Sequence, residues 1–310
     1  MISTVQQQIC QSLQTLAPQE GYTASLLEEV RFMRADRPIE RTPVLYEPSI
    51  IIVCQGRKRG YLADRIYHYD AQQFLVLSVP LPFSSETEAT PEEPMLAVAV
   101  KLNLALATEL LMLVGESGRQ IPSAPEGMIS TPLDAALLDV VHRLLLALQS
   151  PLEAKALGAS LLRELYFRVL MSEQGGAIRA ALACQGHFGR ISRALNHIHQ
   201  QWQSPLNVPM LAEKAGMSVP RFHLHFKAIT HTSPIQYIKS VRLHQARLMM
   251  IRTNLPASKT ALQVGYESAS QFNREFRRFF GRSPGEETHR MRQALALLPA
   301  TELAKQAISH

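Results

Sequence analysis

The sequence predicts an α+β chain in two parts. A small β-barrel with flanking helices comes first, then an all-α domain in which two helix-turn-helix motifs are joined by a long helix. Three observations predict this. β-branched runs broken by turn residues occupy about 22–103, amphipathic helical spacing takes over from about 104, and the last third repeats itself. The 310 residues, 46% of them hydrophobic, suit two globular domains at roughly 150 residues each. The boundary is expected near 180: a first domain over 1–180, with helices over about 104–174, a second over 181–295, and a tail over 296–310.

Strands are clearest in SIIIVCQG (49–56), QQFLVLSV (72–79) and PMLAVAVKLN (94–103), the last alternating Leu96, Val98 and Val100 with small residues. Between the first two, RKRGYLADRIYHYD reads as a hairpin turning near Ala63-Asp64-Arg65. Asn103 is placed to cap a helix running to Val114. Thr131-Pro132 and Ser150-Pro151 read as two further helix starts, a capping side chain followed by a proline in the first turn. Leu133, Leu137, Val140, Val141, Leu144 and Leu148, then Leu157, Leu161, Leu165 and Val169, fall at helical spacing and read as core or dimer packing. Gly175-Gly176 reads as the end of this segment, with a linker to about Gly189. Short helices then follow, punctuated by Ser204-Pro205, Gly216, Ser233-Pro234, Gly265 and Ser283-Pro284.

Charge separates the two parts. The chain carries 32 Lys+Arg against 26 Asp+Glu, formally +6. Residues 188–295 hold 16 and 5 of these, or +11, leaving 16 and 21, or −5, elsewhere. Nucleic acid is therefore the expected partner of the last third.

That third contains the repeat. Ala212 and Gly216 recur 49 residues on as Ala261 and Gly265. Ser218, Phe222, Phe226, Lys227, Ser233 and Pro234 recur 50 residues on as Ser268, Phe272, Phe276, Arg277, Ser283 and Pro284. Each copy has the chemistry of a helix-turn-helix: a small residue where the helices meet, a glycine at the turn, and a serine to cap the second helix. Phe222, Phe226 and Ile229, like Phe272, Phe276 and Phe279, mark a buried face. The opposite face offers Pro220, His223, Leu224 and Lys227 in the first copy, and Ser270, Asn273, Arg274 and Arg277 in the second, with Arg221, Gln271 and Arg278 beside it. With the caps Ser218 and Ser268, these are the candidate DNA-contacting residues. Between the copies, PIQYIKSVRLHQARLMMIRT spans about 30 Å as a helix, with Ile235, Ile238, Val241, Leu248 and Ile251 available for packing. Adjacent major grooves on one face of B-DNA lie roughly 34 Å apart, so one chain is able to address both.

LAEKAGMSVPRFHLHFKAITHTSPIQYI and ALQVGYESASQFNREFRRFFGRSP resemble the two helix-turn-helix motifs of AraC/XylS-type bacterial transcriptional regulators. More loosely, the N-terminal part resembles the cupin-like β-barrel sensor of one branch of that family, through Gln55-Gly56-Arg57-Lys58-Arg59. The resemblance implies a sequence-specific regulator, by analogy an activator, that binds double-stranded DNA. It also implies a small-molecule effector for the first domain, RNA polymerase as a partner and a possible homodimer. Two departures stand out. Leu224 sits where family members often carry Arg, and His231-Thr232 replaces the glycine present before the second Ser-Pro as Gly281. Leu224 cannot fork to guanine, so most polar base readout is expected from the second motif, with Arg274 foremost. Lys227, Arg277 and Arg278 suit phosphates.

Other chemistries find little support. His197 with His199, and His223 with His225, project roughly 200° apart on a helix and cannot share a metal. His68 stands without the ligand cluster of a metal-binding cupin enzyme, which disfavours an enzyme carrying a DNA-binding appendage. Cys10, Cys54 and Cys184 are scattered, against a DNA-alkyl repair regulator and against a disulfide framework. Cys54 beside basic residues reads as buried and inert rather than activated. No catalytic triad or cofactor-binding loop is visible. Leu96 to Val114, interrupted by Lys101, Asn103 and Glu109, does not suit a membrane span, and MISTVQQQIC does not resemble a secretory signal, so a cytoplasmic protein without cofactor is expected.

Overall fold

The computed structural model describes residues 4–116, 125–183, 186–253 and 255–296. Cys184 and, beyond Ala296, the expected tail lie outside them. The chain forms two compact units, one made mainly of residues up to Gly189 and the other mainly of residues from Arg190 onward.

The first unit opens with helix α1 (Thr4–Leu16) and continues with β1 (Gly21–Ala24), β2 (Val30–Ala35), β3 (Ile39–Tyr46), β4 (Ser49–Gln55), β5 (Arg57–Leu62), β6 (Arg65–Asp70), β7 (Gln73–Leu77), β8 (Leu81–Glu88) and β9 (Met95–Lys101). The strands form one curled antiparallel sheet, a half-barrel, in the order β1-β2-β9-β4-β7-β6-β5-β8-β3. The hairpin of β5 and β6 closes at Ala63, which takes φ 54°. Helices α2 (Leu104–Glu116), α3 (Ala135–Ala147), α4 (Pro151–Met171) and α5 (Gly175–Leu182) follow, with β10 (Met128–Pro132) added to β7.

The central strands bury both faces. Ile50, Ile52, Phe74, Val76, Leu96, Val98 and Val100 pack on Ile9 and Leu13 of α1 and on the apolar stripes of α3 and α4. Each such side chain withdrawn from water contributes about 1.5–3 kcal/mol. Ile51, Val53, Leu75 and Leu77, alternating with them, are equally buried and turn into the curl.

Several expectations change. Thr131-Pro132 does not start a helix: it ends strand β10, and α3 begins after Asp134, whose carboxylate accepts from Leu137 N at 2.7 Å. The expected linker contains α5, with Ile178 and Leu182 in the core. Gly175 is there because a Cβ would lie 2.3 Å from the Leu170 carbonyl oxygen. Of the residues expected in core or dimer packing, Leu161, Leu165 and Val169 are buried, whereas Leu157 is exposed. Helix α1 had no counterpart in the sequence reading. Leu96 to Val114 divides between β9 and α2, and among the described residues no helix is long and apolar enough to cross a membrane.

The second unit is helical: α6 (Gly186–Gln200, most of it in this unit), α7 (Val208–Lys214), α8 (Val219–Thr230), α9 (Pro234–Thr253), α10 (Ala257–Gln263), α11 (Ala269–Phe280) and α12 (Pro284–Ala296). Helix α9 buries Tyr237, Ile238, Val241, Leu243, Ala246 and Met250, whereas Ile235 is exposed and Leu248 and Ile251 are half-buried.

Candidate nucleic-acid interface

The two repeats fold alike. In α7–α8 and α10–α11 the first helix ends on a glycine with positive φ, Gly216 at 62° and Gly265 at 81°. In each, the next amide reaches back five residues, Met217 N to Ala212 O and Tyr266 N to Ala261 O, both at 2.9 Å. Ala212 and Ala261 are buried where the helices meet. A guanidinium donates to each turn glycine's carbonyl: Arg190 to Gly216 O at 3.0 Å and Arg242 to Gly265 O at 3.2 Å. Arg242, from α9, also donates to Trp202 O and Ser204 O at 3.0 and 2.9 Å, so the linker helix fixes the second turn to the loop after α6.

The second helices expose what the turns position. On α8, Phe222, Phe226 and Ile229 are buried, while Ser218, Pro220, Arg221, Leu224 and Lys227 are exposed and His223 is half-exposed. On α11, Phe272 and Phe276 are buried. The third core position is Phe280 rather than the expected Phe279, which is half-buried against His244. Ser268, Ser270, Asn273, Arg274, Arg277 and Arg278 are exposed. Gln271 is half-buried and donates to Glu275 Oε1 at 3.3 Å. Glu275 also accepts from Lys239 on α9 at 2.7 Å and from the Tyr266 hydroxyl at 2.9 Å, and these bonds hold its carboxyl below the usual range despite partial burial. Ser268 caps α11, accepting from Gln271 N at 3.3 Å, whereas Ser218 occupies the same position on α8 without that bond.

Not all of the positive charge of this unit is free to meet an anion. Arg190, Lys239, Arg242 and Arg247 are committed to carbonyls or carboxylates inside it. Sequence reasoning missed these roles, because an arginine that clamps a turn has the same composition signature as one that faces solvent. His199 donates to or accepts from the Tyr237 hydroxyl at 2.8 Å, and burial pushes its pKa down to about 4. No metal-binding group of His, Cys, Asp or Glu occurs among the described residues. Cys54 is buried and its thiol is pushed up, not activated.

At the end of α8, His231 takes φ 55°, the left-handed conformation that Gly281 supplies after α11. A side chain there costs roughly 1–2 kcal/mol, partly offset by the lower entropy of the unfolded chain. His231→Gly is expected to stabilise the protein by roughly 0.5 kcal/mol, seen as a rise in Tm. An unchanged or lowered Tm would show that contacts of the histidine side chain outweigh its strain.

Two equivalent helix-turn-helix units with exposed second helices, set on one linker helix, define a DNA-binding protein. Comparison with known proteins agrees. Residues 26–177 match the AraC-type transcriptional regulator N-terminus, and residues 211–290 match a helix-turn-helix domain. The chain is 33% identical to the regulatory protein SoxS of Salmonella typhimurium over 101 residues, 33% of this chain and 94% of that one. It is 40% identical to the RCS-specific transcriptional activator RclR of Escherichia coli over 86 residues, 28% of this chain and 30% of RclR. Its fold is similar to that of a single-residue variant of apo ToxT from Vibrio cholerae, with a TM-score of 0.54 at 10% identity, covering 87% of this chain and 99% of that one. The chain belongs to the AraC family of transcriptional regulators, and its helix-turn-helix domain binds DNA.

Proposed function

We propose that this regulator sets α8 and α11 into adjacent major grooves and reads bases mainly through the second motif. The observation that carries this reading is the matched exposure of the two helices. Leu224 and Arg274, 50 residues apart in the repeat, hold equivalent exposed positions, one apolar and one cationic. Arg274 has the donors to fork onto guanine O6 and N7, while Leu224 offers only apolar contact, as to a thymine methyl. Lys227, Arg277 and Arg278 are assigned to phosphates, Ser218, Pro220, Arg221 and His223 to the first groove, and Ser268, Ser270 and Asn273 to the second. Gln271, engaged by Glu275, orients the reading helix from its edge.

The first unit, taken as residues 1–180, senses a small-molecule effector and alters how residues 181–295 engage a promoter. Homodimerisation, contact with RNA polymerase, activation as the outcome, a cytoplasmic location and the absence of catalysis belong to the same reading. They are supported by the family and by relatives that are themselves regulators.

Binding-site selection on the full chain, then footprinting, should reveal two protected patches about one helical turn apart. On the selected site, Arg274→Ala is expected to cost about 1–3 kcal/mol, roughly 5- to 150-fold in Kd, and to relax preference at one position. Lys227→Ala should weaken all sequences alike and reduce the salt slope by about 1. Unchanged affinity and specificity in Arg274→Ala would refute the assignment of the second motif, and uniform protection would indicate non-specific binding.

A further inference from the structure

We propose that Lys58 is the anchor of an anion site inside the curled sheet, and that the effector is a small molecule bearing a carboxylate. This rests on the sensing role proposed for the first unit and names the chemistry that unit recognises.

The hairpin of β5 and β6 sorts its charges by face. Arg57, Arg59 and Tyr61 alternate outward. Arg57 meets Asp70 and Glu88 at 3.8 and 3.4 Å, Arg59 pairs with Glu86 and Glu88, and the Tyr61 hydroxyl donates to Glu86. Lys58, Gly60 and Leu62 face the other way and are buried, Lys58 to 5% exposure.

Among the described residues, no carboxylate lies within ion-pairing distance of Lys58. Among those residues its ammonium donates only to the Thr87 hydroxyl, at 2.8 Å, and burial lowers its pKa to about 8. An ammonium withdrawn from water without a counter-charge is unfavourable, and the outward arginines show that carboxylates were available one residue away. A bound anion supplies the missing charge.

The surroundings match such a ligand. Tyr69 lies directly across from Lys58 in the β5–β6 register, and its hydroxyl shares a 3.0 Å hydrogen bond with Ser85, two residues from Thr87 on the same face of β8. The Tyr46 hydroxyl bonds to the same Ser85 and to Tyr22. A cation is thus followed by a chain of hydroxyls, each able to donate to a carboxylate oxygen or to a polar group on the ligand.

The test uses the full chain and matched probes: acetate, hexanoate, octanoate and benzoate, each beside its neutral amide. Thermal shift and isothermal titration are read for the wild type and for Lys58→Met, which keeps the stem and removes the charge. At least one carboxylate should stabilise the wild type, its amide should bind at least tenfold more weakly, and Lys58→Met should lose that discrimination. Without ligand, Lys58→Met should melt at or above the wild-type temperature, because an unpaired buried charge is gone. If Lys58→Met does not fold, Lys58→Gln takes its place with the same expected loss. Carboxylate binding that survives either substitution overturns the proposal, as does a panel in which no carboxylate binds the wild type. Amides that bind wild type and variant as tightly as the acids also overturn it, but leave the sensing role of this unit standing.

Discussion

Phe276→Ala will destabilise the second unit by about 3–5 kcal/mol, the cost of truncating a fully buried phenylalanine. Phe276 has no exposed surface and stands between Phe272 and Phe280, at ring-centroid distances of 5.4 and 4.5 Å. It closes a cluster that also takes Leu243, Ala246 and Met250 from α9 and Ala261 and Val264 from the second turn. The residue is therefore the point at which α11, the turn before it and the linker helix α9 meet. A loss of this size is a large part of a typical domain stability of about 5–15 kcal/mol. Urea unfolding should show the midpoint drop with little change in slope, and DNA affinity should fall although no candidate DNA contact is altered. A midpoint within experimental error of the wild type would mean that the second motif is not held by this cluster.

The second large effect is expected at Glu287, which is 1% exposed near the start of α12. Its carboxylate faces Arg247 of α9 at 3.4 Å and Arg282 at 4.0 Å. The Arg247 guanidinium lies 4.6 Å above the Phe280 ring and 3.4 Å from His244 Nδ1. Glu287→Leu removes one charge and leaves the other buried, at a cost of about 3–5 kcal/mol, whereas replacing both partners by apolar residues is often nearly neutral. Glu287→Leu alone should therefore melt well below the wild type, and adding Arg247→Met should restore most of the loss. A double variant no more stable than the single one would mean that Arg247 matters through contacts other than this pair.

Much of the second unit was legible because its signals are local. Gly216 and Gly265 mark turns that require positive φ, and phenylalanines at i and i+4 mark the buried side of each second helix, whatever they pack against. The slip from Phe279 to Phe280 shows the limit. Both satisfy helical spacing to within a fraction of a turn, and only the position of α9 and α12 decides which one is covered. The β5–β6 hairpin was legible for the same local reason, with two short runs and a tight turn at Ala63.

The misses fall where a neighbour distant in sequence decides. Helix α1 reads TVQQQICQSLQTL, too polar to announce itself, and is held by Ile9 and Leu13 against β4 and β9. Thr131-Pro132 has the form of a helix start, but β7 was open to a further strand and took it, with proline at the strand's end. Gly175-Gly176 looked like a break, yet the first glycine is needed for close approach to the Leu170 carbonyl, where Arg179 also donates.

By itself, then, the sequence determined the two-part architecture, the tandem turns and the buried and exposed faces of α8 and α11, since periodicity, turn chemistry and charge act within a few residues. Only the tertiary structure decided which cations hold the fold together and which remain exposed, and that Lys58, one of three consecutive basic residues, is the one turned inward. The reason is physical: a cation's role depends on the carbonyls, carboxylates and water around it, and those are brought there by parts of the chain far away in sequence.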